Sequence, residues 1–243
     1  REVFERMKQT NYRRYSVAGL GEWGVADGLI YENFESLEFD KDKLGSSDNT
    51  EWQYKHFFVF DYGYTNDPTA FVAFAVNPIL KEIYIYDEYY KTRMLNCDIA
   101  EMIKKKGYAK ERIRADCAEP KSNDDLRRLG IARIMPSVKG KDSILNGIAK
   151  IQEYKIFVHP KCVNMLKELS SYCWKKDTDE NGINEPQDCN NHLCDALRYA
   201  FYDVKYFKPI NPNTPKRKIK SEEFYRKNHG LNLEDIITTQ KRY

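Results

Sequence analysis

Three β-patterned runs follow one another between Lys55 and Glu88 with only short turns between them, and this constrains the chain more than any other feature. Lys55-His56-Phe57-Phe58-Val59-Phe60 is an apolar, aromatic stretch of strand length. It stops at Asp61-Tyr62-Gly63, and Asn66-Asp67-Pro68 marks a turn. Thr69–Val76 is the second run. Asn77-Pro78 turns again, and Lys81–Glu88 alternates in character as a third. Strands joined so tightly pair with their immediate neighbours, which predicts an antiparallel meander.

After the meander the pattern alternates between helical and extended. Cys97–Lys106 reads as a helix ended by Gly107, and Arg112–Asp116 as a short strand. Ser122–Leu129 is helical up to Gly130, and Ala132–Val138 is extended. Ser143–Glu153 is helical with Ile144, Ile148 and Ile151 on one face, and Ile156–Val158 is β-like. Cys162–Tyr172 is helical with Val163, Leu166 and Leu169 inward. Trp174–Pro186 is polar, and its Asn181-Gly182 pair predicts a two-residue hairpin turn or a mobile flap, because both positions accept positive φ. Asn191 caps a helix from His192 to about Tyr206, with Leu193, Ala196, Leu197, Ala200, Phe201 and Val204 as its buried stripe. The predicted class is α/β: a central mixed sheet, made of the antiparallel three-strand meander plus parallel strands, flanked by helices. The expected division is a leading segment 1–54, a domain over 55–207 and a basic tail over 208–243.

Composition excludes little but is consistent with a packed domain. Of 243 residues, 41% are hydrophobic and 32% charged, which is enough apolar material for a core. No apolar run approaches the ~18 residues of a membrane span, so no membrane partner is expected. The formal charge of +3 permits a polyanion partner only if the charge is locally arranged. The chain opens on Arg1 without a signal-peptide pattern and is expected to be part of something longer. The six cysteines form no C-x-x-C pair, and the Cys189, His192, Cys194 spacing fits no zinc finger; free thiols in a reducing compartment are expected. Gly19-Leu20-Gly21-Glu22-Trp23-Gly24 matches G-x-G-x-x-G but lacks the preceding buried strand a dinucleotide site needs, so it reads as a turn.

The chemistry rests on three acids at the ends of regular elements. Asp61 ends the first strand of the meander, Asp116 ends the first strand after the crossover helix, and Asp195 lies one turn after His192 on the last helix. In the sheets on which two-metal nucleases are built, strands so placed are neighbours, so the two acids are expected at adjacent tips. Three converging carboxylates repel: at an effective dielectric near 20, two of them ~4 Å apart cost about 4 kcal/mol. Bound dications relieve this, and oxygen ligation points to Mg²⁺ or Mn²⁺. Acids on strand 1, on strand 4 and on a late helix suit a two-metal phosphodiester nuclease. His192, at i−3 from Asp195, completes a metal shell or moves a proton. Singly, each of these residues reads as a turn, cap or surface group; the inference lies in the combination. Replacing any of the three acids by Asn is expected to stabilise the metal-free chain.

These residues also carry a family resemblance. Phe60-Asp61-Tyr62-Gly63-Tyr64-Thr65-Asn66-Asp67-Pro68-Thr69-Ala70 resembles the first nuclease motif of the terminase large subunit of tailed double-stranded DNA phages. Arg114-Ala115-Asp116-Cys117-Ala118-Glu119-Pro120-Lys121-Ser122 resembles the second, and Asn190-Asn191-His192-Leu193-Cys194-Asp195-Ala196-Leu197-Arg198-Tyr199-Ala200 the third. Gly21-Glu22-Trp23-Gly24 and Gly28-Leu29-Ile30-Tyr31 are similar to the junction after that family's motor domain. The resemblance implies an RNase H-like nuclease domain that cuts concatemeric viral DNA during packaging in the host cytoplasm. It implies two divalent ions held by Asp61, Asp116 and Asp195 with His192 beside them, and double-stranded DNA, the portal protein and the small terminase subunit as partners. Trp174–Pro186 falls where the family carries a hairpin near the site.

No G-x-x-x-x-G-K-[ST] loop occurs, so the chain is expected to cut DNA without working as an ATPase. Cutting with little sequence preference needs phosphate contacts; the candidates are Lys121, Lys139, Lys141 and the Lys216–Lys220 cluster. Two rival readings stand beside this one. The first is a resolvase- or transposase-type enzyme on the same fold, which would prefer branched junctions. The second is a non-catalytic DNA- or portal-docking module, which would leave DNA intact with Mn²⁺.

Overall fold

The computed structural model describes residues 28–44, 54–140, 143–176 and 182–204. All of these lie in one compact unit, Arg1–Pro209; the second unit, Ile210–Tyr243, falls outside the described residues. So do the glycine-rich motif of residues 19–24, Lys141, Asn181 and the Lys216–Lys220 cluster.

The meander forms as the sequence predicts. Strand β2 (Lys55–Asp61), β3 (Thr69–Asn77) and β4 (Glu82–Lys91) pair antiparallel in order. Helix α1 (Asn96–Lys105) crosses over to β5 (Ile113–Ala115), which pairs parallel with β2. Helix α2 (Pro120–Arg128) leads to β6 (Ile134–Pro136), parallel to β5. Helix α3 (Ser143–Gln152) leads to β7 (Lys155–Val158), parallel to β4 at the other side. Helix α4 (Val163–Ser171), the hairpin β8 (Trp174–Lys176) and β9 (Gly182–Pro186), and helix α5 (His192–Val204) complete the described chain.

The seven-stranded order is β1-β7-β4-β3-β2-β5-β6, where β1 is Phe34–Ser36. The packed unit therefore begins before residue 55, the start expected from the sequence. Leu29, Ile30 and Tyr31 are buried, and β1 pairs parallel with β7. Three residues, Phe34-Glu35-Ser36, are too few to read as a strand; the pairing with β7 creates it.

Strand alternation sorts the core into two layers. On β3, Ala70, Val72, Phe74 and Val76 face α3, α4 and α5, while Phe71, Ala73 and Ala75 face α1 and α2. All nine residues of β3 are buried, as befits a strand covered on both faces. A bulge lets Ala73 pair with Asp87 and Phe74 with Ile85. It changes the parity of β4. Asp87 stays on the α1 side, where it accepts from Lys106 Nζ at 2.7 Å and Tyr108 Oη at 2.9 Å. Glu88 and Tyr90 turn toward α4 and α5, and Glu88 accepts from the Asn164 and Met165 backbone N–H groups at 2.8 Å, capping α4.

Some details differ from expectation. Ile144 and Val163 are exposed, because α3 and α4 bury Ile148 with Ile151 and Met165 with Leu166, Glu168 and Leu169 instead. Gly182 is not a turn residue: it pairs with Lys176, so the hairpin loop is longer than two residues. Gly107 and Gly130 adopt positive φ directly after α1 and α2, as predicted for helix ends. Among the described residues no helix is long and apolar enough to cross a membrane.

Candidate active site

The site lies where β2 and β5 end together. Phe60 is in register with Ala115, and the Asp116 N–H donates to the Phe60 carbonyl at 3.1 Å, so Asp61 and Asp116 leave neighbouring strands side by side. Phe57 and Val59 face α5; two residues on, so does Asp61. Ile113 and Ala115 face the opposite layer, which turns Asp116 toward α5 as well. Parity thus decides that both carboxylates meet the last helix.

Helix α5 supplies the rest. Its apolar stripe, buried as expected, fixes its rotation. That rotation sets His192, Asp195 and Tyr199, at i, i+3 and i+7, along a neighbouring stripe. His192 Nδ1 lies 3.5 Å from Asp61 Oδ2, and its Nε2 lies 3.7 Å from Asp67 Oδ1. Tyr199 Oη donates to Asp61 Oδ1 at 3.1 Å. Asp195 Oδ1 is held by Arg198 Nη2 at 2.8 Å, and Arg198 is buried. Gly147 on α3 makes room for that arginine: a Cβ there would stand 2.4 Å from Arg198 Cγ.

The helix start is fixed from two sides. The Asn191 carbonyl accepts the Asp195 N–H at 2.7 Å. Glu168, buried on α4, accepts from the backbone N–H groups of Leu193 and Cys194 at 2.8 and 3.0 Å. A carboxylate there meets unsatisfied donors and the positive end of the helix. Burial nonetheless pushes Glu168 up to about 7, against the pull of those N–H groups and His192.

The loop after β2 is closed by Gly63, where a Cβ would come within 2.3 Å of the Pro68 carbonyl. Thr69 Oγ1 donates to the Gly63 carbonyl at 2.8 Å. This fold-back brings Asp67 to His192.

Electrostatics tie the acids together. Burial, first, raises the Asp61 pKa; His192 and Tyr199 lower it, and the charges of Asp195 and Asp116 raise it. Burial likewise raises Tyr199, and the charges of Asp61, Asp116 and Asp195 all add to it. His192 is raised, chiefly by Asp61 and against its own burial, with Glu168 and Asp67 adding. Asp116 is lowered: burial alone would raise it, but the Lys139 ammonium and the Ala118 N–H outweigh burial.

The four expected site residues are therefore brought into one electrostatic neighbourhood. Among the described residues, however, no group of three or more His, Cys, Asp or Glu side chains forms a ready metal-ligand cluster. Each carboxylate instead has a protein partner: His192 and Tyr199 at Asp61, Lys139 at Asp116, and Arg198 at Asp195. Lys139, one of the expected DNA contacts, is paired with Asp116, its Nζ 2.6 Å from Oδ1. Lys121 is exposed in the first turn of α2, close in sequence to Asp116. The hairpin β8–β9 leads through residues 187–191 into the His192 end of α5. Sequence reasoning missed Asp67, Tyr199, Arg198 and Glu168. Tyr199 and Arg198 had a signal, at i+4 and i+3 from Asp195; Asp67 lay hidden in a turn.

Residues 61–203 match the family model described as the terminase RNase H-like domain. The chain belongs to this family. The PBSX phage terminase large subunit of Bacillus subtilis (strain 168) is 29% identical over 220 residues, covering 87% of this chain and 50% of that protein. The terminase large subunit of Bacillus phage SPP1 is 30% identical over 203 residues, covering 82% of this chain and 47% of that protein. The chain spans about half the length of the curated relatives it matches. In structure it is similar to the nuclease domain of g2p, the large terminase of bacteriophage SPP1, described with bound Mn. The TM-score is 0.64 at 30% identity, covering 72% of this chain and 99% of that one. The terminase neighbour and the mixed sheet together establish the RNase H-like fold of this family member.

Proposed function

We propose that this chain is a divalent-metal-dependent endonuclease that cuts concatemeric viral double-stranded DNA during genome packaging, with little sequence preference. The carrying observation is the placement of Asp61 and Asp116 on neighbouring strand tips, both facing the α5 stripe of His192 and Asp195. The similarity to a nuclease domain described with bound Mn supports the same reading.

The donor set fits such ions. Three carboxylates are hard oxygen donors suited to Mg²⁺ or Mn²⁺, and the charges of Asp195 and Asp116, which add to burial in raising Asp61, are what a dication relieves. Asp61, Asp116 and Asp195 would hold two ions, with His192 at the edge. When bound, they supply charge neutralisation at the phosphate and acidify water. The protein's own part is positioning. Tyr199 holds one oxygen of Asp61 and leaves the other toward His192. Arg198 fixes the Asp195 carboxylate. His192, whose pKa is raised chiefly by its hydrogen bond to Asp61 with Glu168 and Asp67 adding, is placed to move a proton at the edge of the site. Lys121 at the N-terminal turn of α2 contacts backbone phosphate, and the β8–β9 hairpin gates access to the His192 end of α5. The portal protein and the small terminase subunit are the partners in the host cytoplasm.

The test is cleavage of plasmid DNA with millimolar Mn²⁺ or Mg²⁺ and without ATP. Linear products from the wild type, none with chelator and none from Asp61→Asn support the reading. Intact DNA with either ion overturns it, and a strong preference for four-way junctions shifts it to a resolvase-type enzyme.

A further inference from the structure

Lys139 is placed by two backbone anchors. The chain leaving β6 is tied to the tip of β5 by the Ser137 N–H, which donates to the Ala115 carbonyl at 2.6 Å. Arg114 Nη1 donates to the Pro136 carbonyl at 2.6 Å. From this fixed point Lys139 returns over the acids. Its Nζ sits 2.6 Å from Asp116 Oδ1 and 5.1 Å from the centre of the Tyr199 ring, the same ring whose hydroxyl bonds Asp61. Electrostatic attraction to the carboxylate and to the ring face both favour an ammonium here.

The two partners differ in freedom. The Lys139 side chain is 39% exposed and the Asp116 side chain 15%. The lysine can swing into water while the carboxylate stays at the strand tip.

We propose that Lys139 is a resident counter-cation of the acidic site, which competes with a divalent metal for Asp116 and is displaced when the metal binds. The proposal rests on the reading of these acids as a metal site. Displaced, the ammonium remains tethered at the end of β5, where a DNA phosphodiester drawn to the same cations is its next partner.

The test is calorimetric titration of the full chain with Mn²⁺, without DNA, for wild type, Lys139→Met, Lys139→Gln and Lys139→Arg. Exposed ion pairs are modest, so both neutral variants should bind Mn²⁺ about fivefold more tightly than wild type. Lys139→Arg keeps the charge and should stay within about twofold of wild type, since a cation of either kind can serve in an exposed pair. Tight binding by a neutral variant alone, with no measurable binding by wild type, supports the proposal more strongly. Neutral variants that bind no more tightly than a wild type that does bind would overturn it and leave the metal reading standing. If none of the four proteins binds Mn²⁺, the metal reading fails and the proposal with it.

Discussion

Asp61 and Asp116, 55 positions apart in the chain, end neighbouring parallel strands, and the backbone N–H of Asp116 is bonded to the residue before Asp61. Their separation is set by strand spacing, and their common direction by strand parity. The three acids nonetheless do not share one environment, and this changes what substitution should do.

Asp61→Asn should raise the melting temperature of the metal-free chain. The carboxylate is buried, and the charges of Asp195 and Asp116 disfavour its ionised form. A gain of about 1 kcal/mol, or ~2–4 °C for a domain of this size, is the expected order. Asp116→Asn and Asp195→Asn should do the opposite, contrary to the uniform gain expected from repulsion alone. The first leaves Lys139 without its carboxylate, at a cost of about 1 kcal/mol for a partly exposed pair. The second strands the buried Arg198, at a cost of about 3 kcal/mol. Thermal melts of the three variants in chelator check the signs.

Tyr199→Phe removes the hydroxyl that fixes Asp61 Oδ1. Cleavage should fall about tenfold, the effect of a slightly misplaced ligand. Stability should fall by only about 1 kcal/mol, the net worth of one hydrogen bond. Rates and melts on the same preparation separate the two effects.

The meander and the helices were legible because each carried its own period. Phe57 to Phe60 spell a buried strand, and Leu193 to Val204 spell a helix face. What was not legible depends on contacts between distant segments. The bulge at Tyr86–Asp87 leaves no mark in the alternation of Lys81–Glu88, yet it turns Glu88 and Tyr90 to the other face. Glu168 interrupts an apolar stripe and looks solvent-facing until α5 places its first N–H groups on it. Lys139 looks like any surface lysine until β6 pairs with β5. The site acids were visible as strand and helix ends, but their individual partners were not.

Glu168 should make stability depend on pH. Its ordinary value is 4.5 and burial raises it to about 7 in the folded chain. Between those values the folded state holds a proton that the unfolded state has released. Stability is therefore highest below about 4.5 and falls as pH rises toward 7. The loss is up to about 3 kcal/mol by the worth of a pKa unit. His192 and Asp61 are also raised and add declines of the same sign, so the test is the difference between wild type and Glu168→Gln. Denaturant melts from pH 4 to 8 should show a shallower fall for the variant.

Gly147→Ala should disturb the site from a distance. The new methyl meets Arg198 Cγ and Cδ, and the guanidinium must leave Asp195 or the helices must separate. Overpacking of this kind costs about 1–3 kcal/mol. Cleavage should fall more than for a surface Gly→Ala change such as Gly140→Ala, where nothing stands in the way.

Divalent metal should land among these carboxylates. Crystals of the chain soaked in Mn²⁺ and measured at the manganese edge test this directly. The expected result is anomalous density between Asp61, Asp116 and Asp195, lost from the Asp61 position in Asp61→Asn, with Lys139 moved off Asp116. Manganese bound elsewhere, with Lys139 still on Asp116 at saturating Mn²⁺, would contradict the account.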